Sequence, residues 1–205
     1  MFTCLVAMIA ALSLYPLNPV EQDTLAPANV HLTAGINGPN GVFGIGPEIT
    51  AKYEMLVFHP FVVRPAFDIR YGKVTNALHP SGELLAATFS TEFFYYKGTD
   101  KLTGYMGGGV VFTDYHFMLN DRAADSLKSN LGITNVRMKN TFGYRFTMGL
   151  RIERNYSMEI AITEQRPLFS FTTRISSSSY SESTDKIRMS DVRFTVGYLI
   201  PFKIL

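Results

Sequence analysis

Apolar and polar residues alternate along most of the chain, and the stretch TFGYRFTMGLRI at residues 141–152 shows this most clearly. Every second residue in it is Phe, Tyr, Met, Leu or Ile, and the residues between them are Thr, Gly or Arg. Successive side chains of a β-strand point to opposite faces of its sheet. This period of two therefore predicts a strand with one apolar face and one polar face.

The same period recurs in eight segments and predicts an all-β protein. Most of these segments have ten or more residues, whereas strands of globular proteins usually have about five or six. A strand that crosses a bilayer at about 45° needs roughly 9–11 residues, so the lengths favour a membrane. The predicted strands cover residues 30–37, 43–55, 61–73, 84–96, 102–117, 141–152, 156–165 and 191–202.

Two prolines, Pro47 and Pro65, interrupt this pattern on the apolar face of the second and third predicted strands. Proline has no N–H to donate to a ladder, and a closed barrel has no free edge to accommodate it. We therefore expect β-bulges at these positions, or strands that begin later than the pattern indicates.

The connections between the predicted strands alternate in length after the first one, GPNGV. Short turns (LVFHP, KGTDK and ERN) alternate with longer segments at 74–83, 118–140 and 166–190. Short turns at one end and long loops at the other are typical of transmembrane barrels. Within the long segments, NDRAADSLKSNLG predicts a helix with Asp121 as N-cap and Gly132 as its end. SSSSYSES at 176–183 predicts a polar, mobile loop tip.

The polar face of the strands is rich in small residues, which helps to decide which face is wet. A soluble calyx would put the apolar face inside, and a membrane barrel would put it outside. Small residues are needed in the narrow lumen of an eight-stranded barrel, and long runs of large apolar side chains suit a lipid-facing band. The tyrosines near strand ends suit the headgroup level: Tyr53, Tyr71, Tyr95, Tyr96, Tyr156 and Tyr198. We predict an eight-stranded, antiparallel, up-and-down transmembrane β-barrel.

Charged residues of both signs fall on the predicted lumen face. Unpaired buried charges are strongly destabilising, so these residues are expected to pair. We predict a stacked network of ion pairs that fills the lumen, with an ion path or proton relay as the alternative. The predicted network consists of Glu48, Lys52, Arg64, Asp68, Arg70, Glu92, Arg145, Arg151, Glu159 and Arg193.

Composition and charge exclude several classes of protein. The net charge of +2 and the absence of a basic run argue against nucleic-acid binding. The single cysteine, Cys4, excludes an internal disulfide and a cysteine-based metal site. No apolar run reaches 18 residues, so no transmembrane helix is expected in the mature chain.

The N-terminus is apolar over residues 4–17 and carries small residues at Ala26 and Ala28. This arrangement predicts a secretory signal peptide over residues 1–28, with its cleavage site uncertain, ahead of a barrel domain at 29–205. A buried N-terminal helix is the alternative.

Few residues offer catalytic chemistry. The four histidines have no metal-binding spacing, no cofactor motif occurs, and His31 is expected to face the lumen. Asp114 and His116 share one face at the outer end of the fifth predicted strand. With a serine from a neighbouring loop they would resemble an acyl-transfer site, and they are the only catalytic candidates.

The stretches FGIGPEITAKY, YMGGGVVF, YRFTMGLRIERNYSMEIAI and VRFTVGYLIPFKIL resemble the small eight-stranded outer-membrane β-barrel proteins of Gram-negative bacteria. That class includes OmpX, the OmpW type and the membrane domain of OmpA, and the resemblance covers residues 29–205. It implies an outer-membrane location, contact with lipopolysaccharide, and insertion by the barrel-insertion machinery through the last strand. Members commonly end in phenylalanine, whereas this chain ends in Leu205 and its nearest phenylalanine is Phe202.

Members of this class include adhesion factors, small pores, anchors and enzymes that act on lipid A, so the fold alone does not identify the function. We predict a non-enzymatic monomer without a cofactor, whose exposed loops contact lipopolysaccharide or a host or phage ligand. The second hypothesis is a small pore or carrier for small hydrophobic molecules. The third is a lipid A deacylase or acyltransferase, but the deacylase pattern expects serine at position 118, which is methionine. The pore hypothesis is supported only by apolar residues at predicted inward positions: Phe94, Met106, Phe112 and Leu199.

Overall fold

Eight long antiparallel strands close into a barrel in the computed structural model, which describes residues 28–40, 44–58, 60–74, 81–99, 101–153, 155–176 and 179–201. The elements in chain order are β1 (Ala28–Asn40), β2 (Gly46–Phe58), β3 (Phe61–Val74), β4 (Gly82–Gly98), β5 (Leu102–Leu119), α1 (Asp121–Leu131), β6 (Ile133–Lys139), β7 (Thr141–Ile152), β8 (Tyr156–Gln165), β9 (Leu168–Arg174), β10 (Tyr180–Lys186) and β11 (Met189–Pro201). Around the barrel the order is β1, β2, β3, β4, β5, β7, β8 and β11, and β11 pairs with β1 to close it. The predicted fold class is confirmed.

The two faces of the barrel strands differ as the alternation predicts. In β4, Phe89 and Phe93 are 55% and 62% exposed, whereas Ser90 and Glu92 between them are buried. The apolar face therefore points out of the barrel and the polar face points into it, as a membrane barrel requires. Among the described helices, none has the length and apolar character to span a bilayer. The predicted signal peptide at 1–28 falls almost entirely outside the described residues, as do Phe202 and Leu205.

The two prolines lie in different settings. β2 begins at Gly46, three residues later than predicted, so Pro47 is its second residue. Pro65 lies inside β3, and the β2–β3 ladder has no pairs between Lys52↔Ala66 and Met55↔Val63, although the register continues unchanged. The missing N–H of proline explains this interruption. The expected late start is confirmed at Pro47, and the ladder at Pro65 is interrupted without a bulge.

The helix predicted between the fifth and sixth predicted strands is present as α1, and it is capped at both ends. The side chain of Asn120 accepts a hydrogen bond from the backbone N–H of Arg122 at 2.9 Å, so the N-cap lies one residue before the predicted Asp121. Gly132 caps the C-terminus with a φ of 64°, a left-handed conformation that favours glycine.

The segment at 166–190 is a hairpin and not the predicted loop. The barrel pair Gln165↔Met189 and the outer pair Leu168↔Lys186 belong to the same register, and between them Ile187 N–H donates to Pro167 O at 3.0 Å. One antiparallel ladder therefore continues beyond the rim of the barrel. Every side chain of β10 is exposed, so its sequence shows no apolar alternation and the strand escaped prediction.

The continued hairpin joins β6 in a three-stranded sheet of order β10-β9-β6. We call this sheet, together with α1, the lid. It lies at the end of the barrel that has the long connections, which is the extracellular end in barrels of this kind. One face of the sheet packs on inward-facing residues at the barrel mouth in one apolar cluster: Leu84, Ala86, Tyr115, Val136, Met138, Phe169, Ile187 and Met189.

Replacing Phe169 by leucine should loosen the lid without unfolding the barrel. Phe169 is fully buried, and its ring lies edge-on to the ring of Phe117 with 5.4 Å between centroids. We expect a loss of about 1.4 kcal/mol from imperfect repacking, which raises the open population of the lid about tenfold. Limited proteolysis of the folded protein in detergent should then cut the β9–β10 hairpin about tenfold faster. Tyr180→Leu, at a 59% exposed position, is the control, and equal cleavage of both variants would contradict the prediction.

Candidate functional site: the lumen charge network

The structure places all ten residues of the predicted lumen network on the inner face of the barrel, none more than 9% exposed. Two further carboxylates, Glu54 and Asp191, are buried beside them. The described lumen thus contains six cationic and six anionic side chains, so its formal charges cancel. The cations are Lys52, Arg64, Arg70, Arg145, Arg151 and Arg193, and the anions are Glu48, Glu54, Asp68, Glu92, Glu159 and Asp191.

The middle of the lumen is crossed by a chain of ion pairs between β2, β11, β3, β7 and β4. Arg193 Nη1 lies 2.5 Å from Glu48 Oε1 and 3.1 Å from Asp68 Oδ2. On the other side of Asp68, Arg145 Nη2 lies 2.5 Å from Oδ2, and Arg145 Nη1 lies 3.4 Å from Glu92 Oε1. Each cation here contacts two carboxylates from different strands, so the pairs tie opposite sides of the barrel together.

Arg64 continues this chain toward the end with the short turns. Its Nη1 lies 2.7 Å from Glu159 Oε1 and 3.7 Å from Glu54 Oε1, and its Nη2 lies 4.0 Å from Glu92 Oε2. Lys52 also pairs with Glu159. The guanidinium carbon of Arg64 lies 3.8 Å from the centroid of the Phe94 ring, which covers it on one face.

Tyrosines and Arg151 complete the carboxylate contacts near this end. Arg151 Nη2 lies 2.5 Å from Glu54 Oε2, and Tyr96 donates its hydroxyl to Glu54 Oε1 at 2.6 Å. Tyr105 donates to Glu159 Oε1 at 2.8 Å. The prediction that Tyr96 lies at the headgroup level is wrong, because its ring is 1% exposed inside the lumen.

Arg70 stands apart from the connected network. It pairs with Asp191 near the outer mouth, and its Nη2 lies 3.4 Å from the hydroxyl of Tyr115. Nine of the ten predicted residues therefore join one connected set with Glu54, and the tenth forms a second, smaller group. Glu54 lies two residues from Lys52, and Asp191 lies two residues from Arg193. The alternation of faces along a strand would therefore have placed both carboxylates in the lumen.

Glycines on intervening strands allow these side chains to meet. Gly109 of β5 pairs with Glu92 of β4 on one side and with Arg145 of β7 on the other. The side chains of Glu92 and Arg145 extend across this glycine and come within 3.4 Å of each other. Gly149 of β7 lies in the same way between Tyr105 of β5 and Glu159 of β8. A side chain at either glycine would fill the gap that its neighbours bridge. This explains why arginines, glycines and threonines share the inner face of TFGYRFTMGLRI.

The residues considered for catalysis are not assembled into an accessible site. Asp114 and His116 are exposed on the outer face of β5, and the residues opposite them on β4 are Ala87 and Leu85, which carry no nucleophile. No cluster of three or more His, Cys, Asp or Glu in the described residues is arranged for a metal ion.

A second arrangement of catalytic residue types lies inside the lumen. His31 Nε2 is hydrogen-bonded to Ser157 Oγ, and His31 Nδ1 lies 3.9 Å from Glu159 Oε1. None of the three side chains is more than 2% exposed, so a substrate has no access to them. His31 faces the lumen as predicted.

The apolar residues cited for a pore divide between the two faces. Phe94 and Leu199 are 1% and 2% exposed inside the barrel. Met106 and Phe112 have the opposite parity to the buried Tyr105 and Val111 and face outward, so their inward placement was wrong. The glycine run 107–109 obscured the register of this strand in the sequence.

The outward face of the lid carries its own ion pair. Glu182 of β10 accepts a hydrogen bond from the hydroxyl of Ser170, and Lys139 Nζ lies 3.0 Å from Glu182 Oε1. The Ser170 hydrogen bond and the charge of Lys139 lower the pKa of Glu182. The carboxylate therefore stays ionised on this surface at neutral pH.

Comparison of the sequence with protein-family models and with curated proteins gives no significant match. Solved structures do match. The outer membrane protein OprG from Pseudomonas aeruginosa is 12% identical, with 86% of this chain and 97% of that chain covered and a TM-score of 0.59. The outer membrane protein AlkL, whose structure was determined in DMPC lipid bilayers, is 12% identical over 93% of this chain and 97% of that chain, with a TM-score of 0.56.

A third similar structure, the outer membrane enzyme PagL, is 11% identical over 84% of this chain and 99% of that chain, with a TM-score of 0.47. That TM-score is too low for the likeness to bear on activity. OprG and AlkL show the fold, and the fold and the apolar exterior are both consistent with the outer membrane of a bacterium. The chain thus has the architecture of the small eight-stranded outer-membrane β-barrel proteins that its sequence resembles.

Proposed function

We propose that the protein is a non-enzymatic outer-membrane barrel whose lumen is closed by its charge network and whose lid is the surface that meets other molecules. The observation that carries this proposal is the connected set of ten paired side chains from six barrel strands. A solute that passed through the lumen would have to separate several buried ion pairs at once, each strongly held in a low-dielectric interior.

The lid supports the second half of the proposal. Its inner face is committed to the apolar cluster at the barrel mouth. Its outer face offers exposed charges and hydroxyl groups on a framework of paired strands, including Arg137, Lys139, Glu182 and Lys186. Such a surface suits adhesion or another contact with a host or phage ligand, and the outer leaflet supplies lipopolysaccharide around it.

Conductance measurements on the Arg145→Leu variant in planar bilayers test the closed lumen. Arg145 joins Asp68 to Glu92 in the middle of the lumen. If the network is structural, the wild type conducts no ions, and the variant has a lower unfolding midpoint without a gain of conductance. Steady ion flux through the folded wild type, or a gated current created by the substitution, would contradict the proposal.

A carrier for small hydrophobic molecules is the second candidate, favoured by the apolar cluster between the lid and the barrel mouth. The two functions differ in a transport assay. Vesicles containing the protein should take up a small hydrophobic dye no faster than vesicles without it if the lumen is closed. Uptake that depends on the protein, with no ion conductance, would favour the carrier.

The proposal includes the maturation of the chain: removal of a signal peptide over residues 1–28, insertion by the barrel machinery through β11, and a monomeric final state. The mass of the protein extracted from an outer-membrane fraction measures the first of these steps. A mass that corresponds to cleavage close to Ala28 is expected, and an uncleaved chain in the outer membrane would contradict it.

A further inference from the structure

Two arginines face each other at the point where the long hairpin leaves the barrel. The last barrel pair of β8 and β11 is Gln165↔Met189, and one step above it Ile187 N–H donates to Pro167 O. Arg166 and Arg188 lie between these two contacts, at opposite positions of the same ladder. Both are exposed on the outer face, while Gln165 and Met189 beside them are buried. Like charges directly opposite each other in a ladder repel.

A single carboxylate compensates this pair. Arg188 Nε lies 3.2 Å from Glu164 Oε2, and Arg188 Nη2 lies 3.4 Å from Glu164 Oε1. The hydroxyl of Ser190, which is opposite Glu164 in the ladder, also donates to this carboxylate. The Arg188 side chain nevertheless remains 71% exposed. One carboxylate between two guanidinium groups leaves a local excess of positive charge with free N–H donors, which suits an anion with several oxygen atoms.

Exposed aromatic rings adjoin the arginines on the next strand. Tyr144 of β7 is directly opposite Glu164 of β8, and Phe142 and Arg166 directly follow Gly143↔Gln165, the last pair of this ladder. Tyr144 and Phe142 are 74% and 75% exposed on the outer face, where they meet lipid. Rings at this level lie between the apolar band and the headgroups. The surface thus combines a cationic upper part with an apolar lower part.

On the opposite side of the barrel rim, at β3–β5, the exposed cations in the described part of the chain do not outnumber the carboxylates. Lys73 of β3 is opposite Glu83 of β4, so one cation faces one carboxylate there. Asp114 adds a second carboxylate on the outer face of β5. Among the described residues, the β8–β11 sector has a cationic excess and the β3–β5 sector does not, so an anionic headgroup would be favoured at the former.

We propose that Arg166 and Arg188 bind a phosphate group of a phosphorylated outer-leaflet glycolipid of the lipid A type, whose acyl chains lie against Tyr144 and Phe142. The inference rests on the proposed outer-membrane location. The phosphate oxygens accept hydrogen bonds from the N–H groups of both arginines, and the negative charge of the phosphate offsets the repulsion between the two guanidinium groups. The acyl chains lie against the apolar rings on the membrane side of the arginines, so the two halves of one amphiphile match the two halves of the surface.

Binding of two lipids that differ only in phosphate tests the proposal. Folded protein in detergent micelles is titrated with bis-phosphorylated lipid A or with phosphate-free lipid A, and the bound fraction is read by native mass spectrometry. We expect the wild type to bind the phosphorylated form at least tenfold more tightly. The double variant Arg166→Gln/Arg188→Gln should bind both lipids equally, and the preference of the wild type should weaken at high salt.

A matched double variant controls for total charge. Lys97→Gln/Lys101→Gln removes two cations at the short-turn end of the barrel, away from the proposed site, and should keep the preference for phosphorylated lipid A. Equal binding of both lipids by the wild type, or loss of the preference in both double variants, would overturn the proposal. Inorganic phosphate at the concentration of the lipid should not displace it, and displacement would mean that the arginines hold a free anion.

The lipid site and the outer-membrane location are tested by different experiments, so a negative result for one can be told from a negative result for the other. The location is measured by fractionation of the host membranes and by the faster migration of the unboiled protein on a gel. A folded barrel in the outer membrane that shows no phosphate preference overturns the lipid site alone. Absence from the outer membrane contradicts the proposed function and removes the source of the lipid.

Discussion

Replacing Arg64 by methionine should cost the barrel about 3–5 kcal/mol of unfolding free energy, because it leaves buried carboxylates without their shared cation. Arg64 is fully buried and contacts Glu159 at 2.7 Å and Glu54 at 3.7 Å. Methionine has a similar length and is apolar, so the loss reports the missing charge more than a cavity. Urea titration in lipid vesicles, with folded and unfolded protein separated on unboiled gels, measures the change.

The same substitution at an exposed arginine is the control for this prediction. Arg188→Met should change the unfolding free energy by less than about 0.5 kcal/mol, because the Arg188 side chain is 71% exposed and its pair with Glu164 is screened by solvent. The double variant Arg64→Met/Glu92→Met should recover part of the loss, since it restores equal numbers of cations and carboxylates while Arg145 keeps Asp68 as its partner. A loss below about 1 kcal/mol for Arg64→Met would contradict a desolvated network and indicate that water reaches these carboxylates.

Replacing Gly109 by valine should be about as damaging as the loss of Arg64, with an expected cost of about 3–5 kcal/mol. A Cβ at Gly109 would collide with the backbone carbonyl of Thr91 and lie 2.6 Å from the Cα of Glu92. The added side chain would also stand in the gap over which Arg145 reaches Glu92. Overpacking and a broken buried ion pair therefore act together, and the urea midpoint in vesicles measures their sum.

The neighbouring glycine provides a matched control on the opposite face. A Cβ at Gly108 points outward, where its nearest neighbours are Arg145 O at 3.0 Å and Phe146 Cδ2 at 3.8 Å. Gly108→Val should shift the unfolding free energy by less than about 1 kcal/mol, because a lipid-facing valine adds apolar surface to the exterior. Equal losses at the two positions would mean that strand backbone strain, and not the lumen network, limits the size of the side chain.

If these expectations hold, the lumen is a stabilising core made from charge in place of hydrocarbon. The outer face of a membrane barrel is committed to lipid, so apolar residues are used there. Cations and carboxylates that pair across the lumen then stabilise the interior. The equal number of each sign leaves the described lumen with no net formal charge that would favour a permeating ion of either sign.

Local sequence pattern was enough to predict the barrel and the inner face of most strands. A period of two over ten or more residues is a local property of the chain, and it assigns the side chains of one strand to two faces without knowledge of any partner. The strands 141–152 and 156–165 were therefore predicted with their observed bounds. All ten charged residues predicted for the lumen are inside it for the same reason.

Predictions from the sequence were wrong where the alternation of apolar and polar residues was weak. The glycine run 107–109 has no side chains to define a face, so Met106 and Phe112 were assigned to the wrong side. Tyr96 lies beside Tyr95 at the end of β4, and only its alternation with the buried Phe94 places it inside. In β10 both faces are polar, so a paired strand had the composition of a loop.

Which side chains meet in the lumen depends on how the strands assemble into the closed barrel. Parity places Arg145, Asp68 and Glu92 on the inner face, but their contacts depend on barrel closure, strand order and register, which join residues about 50 to 80 positions apart in the chain. The same long-range register sets Arg166 against Arg188 beyond the last barrel pair and lays the lid over the mouth. Alternation is a property of one strand, whereas pairing is a property of the closed sheet, and for that reason the chain alone specified the faces but not the partners.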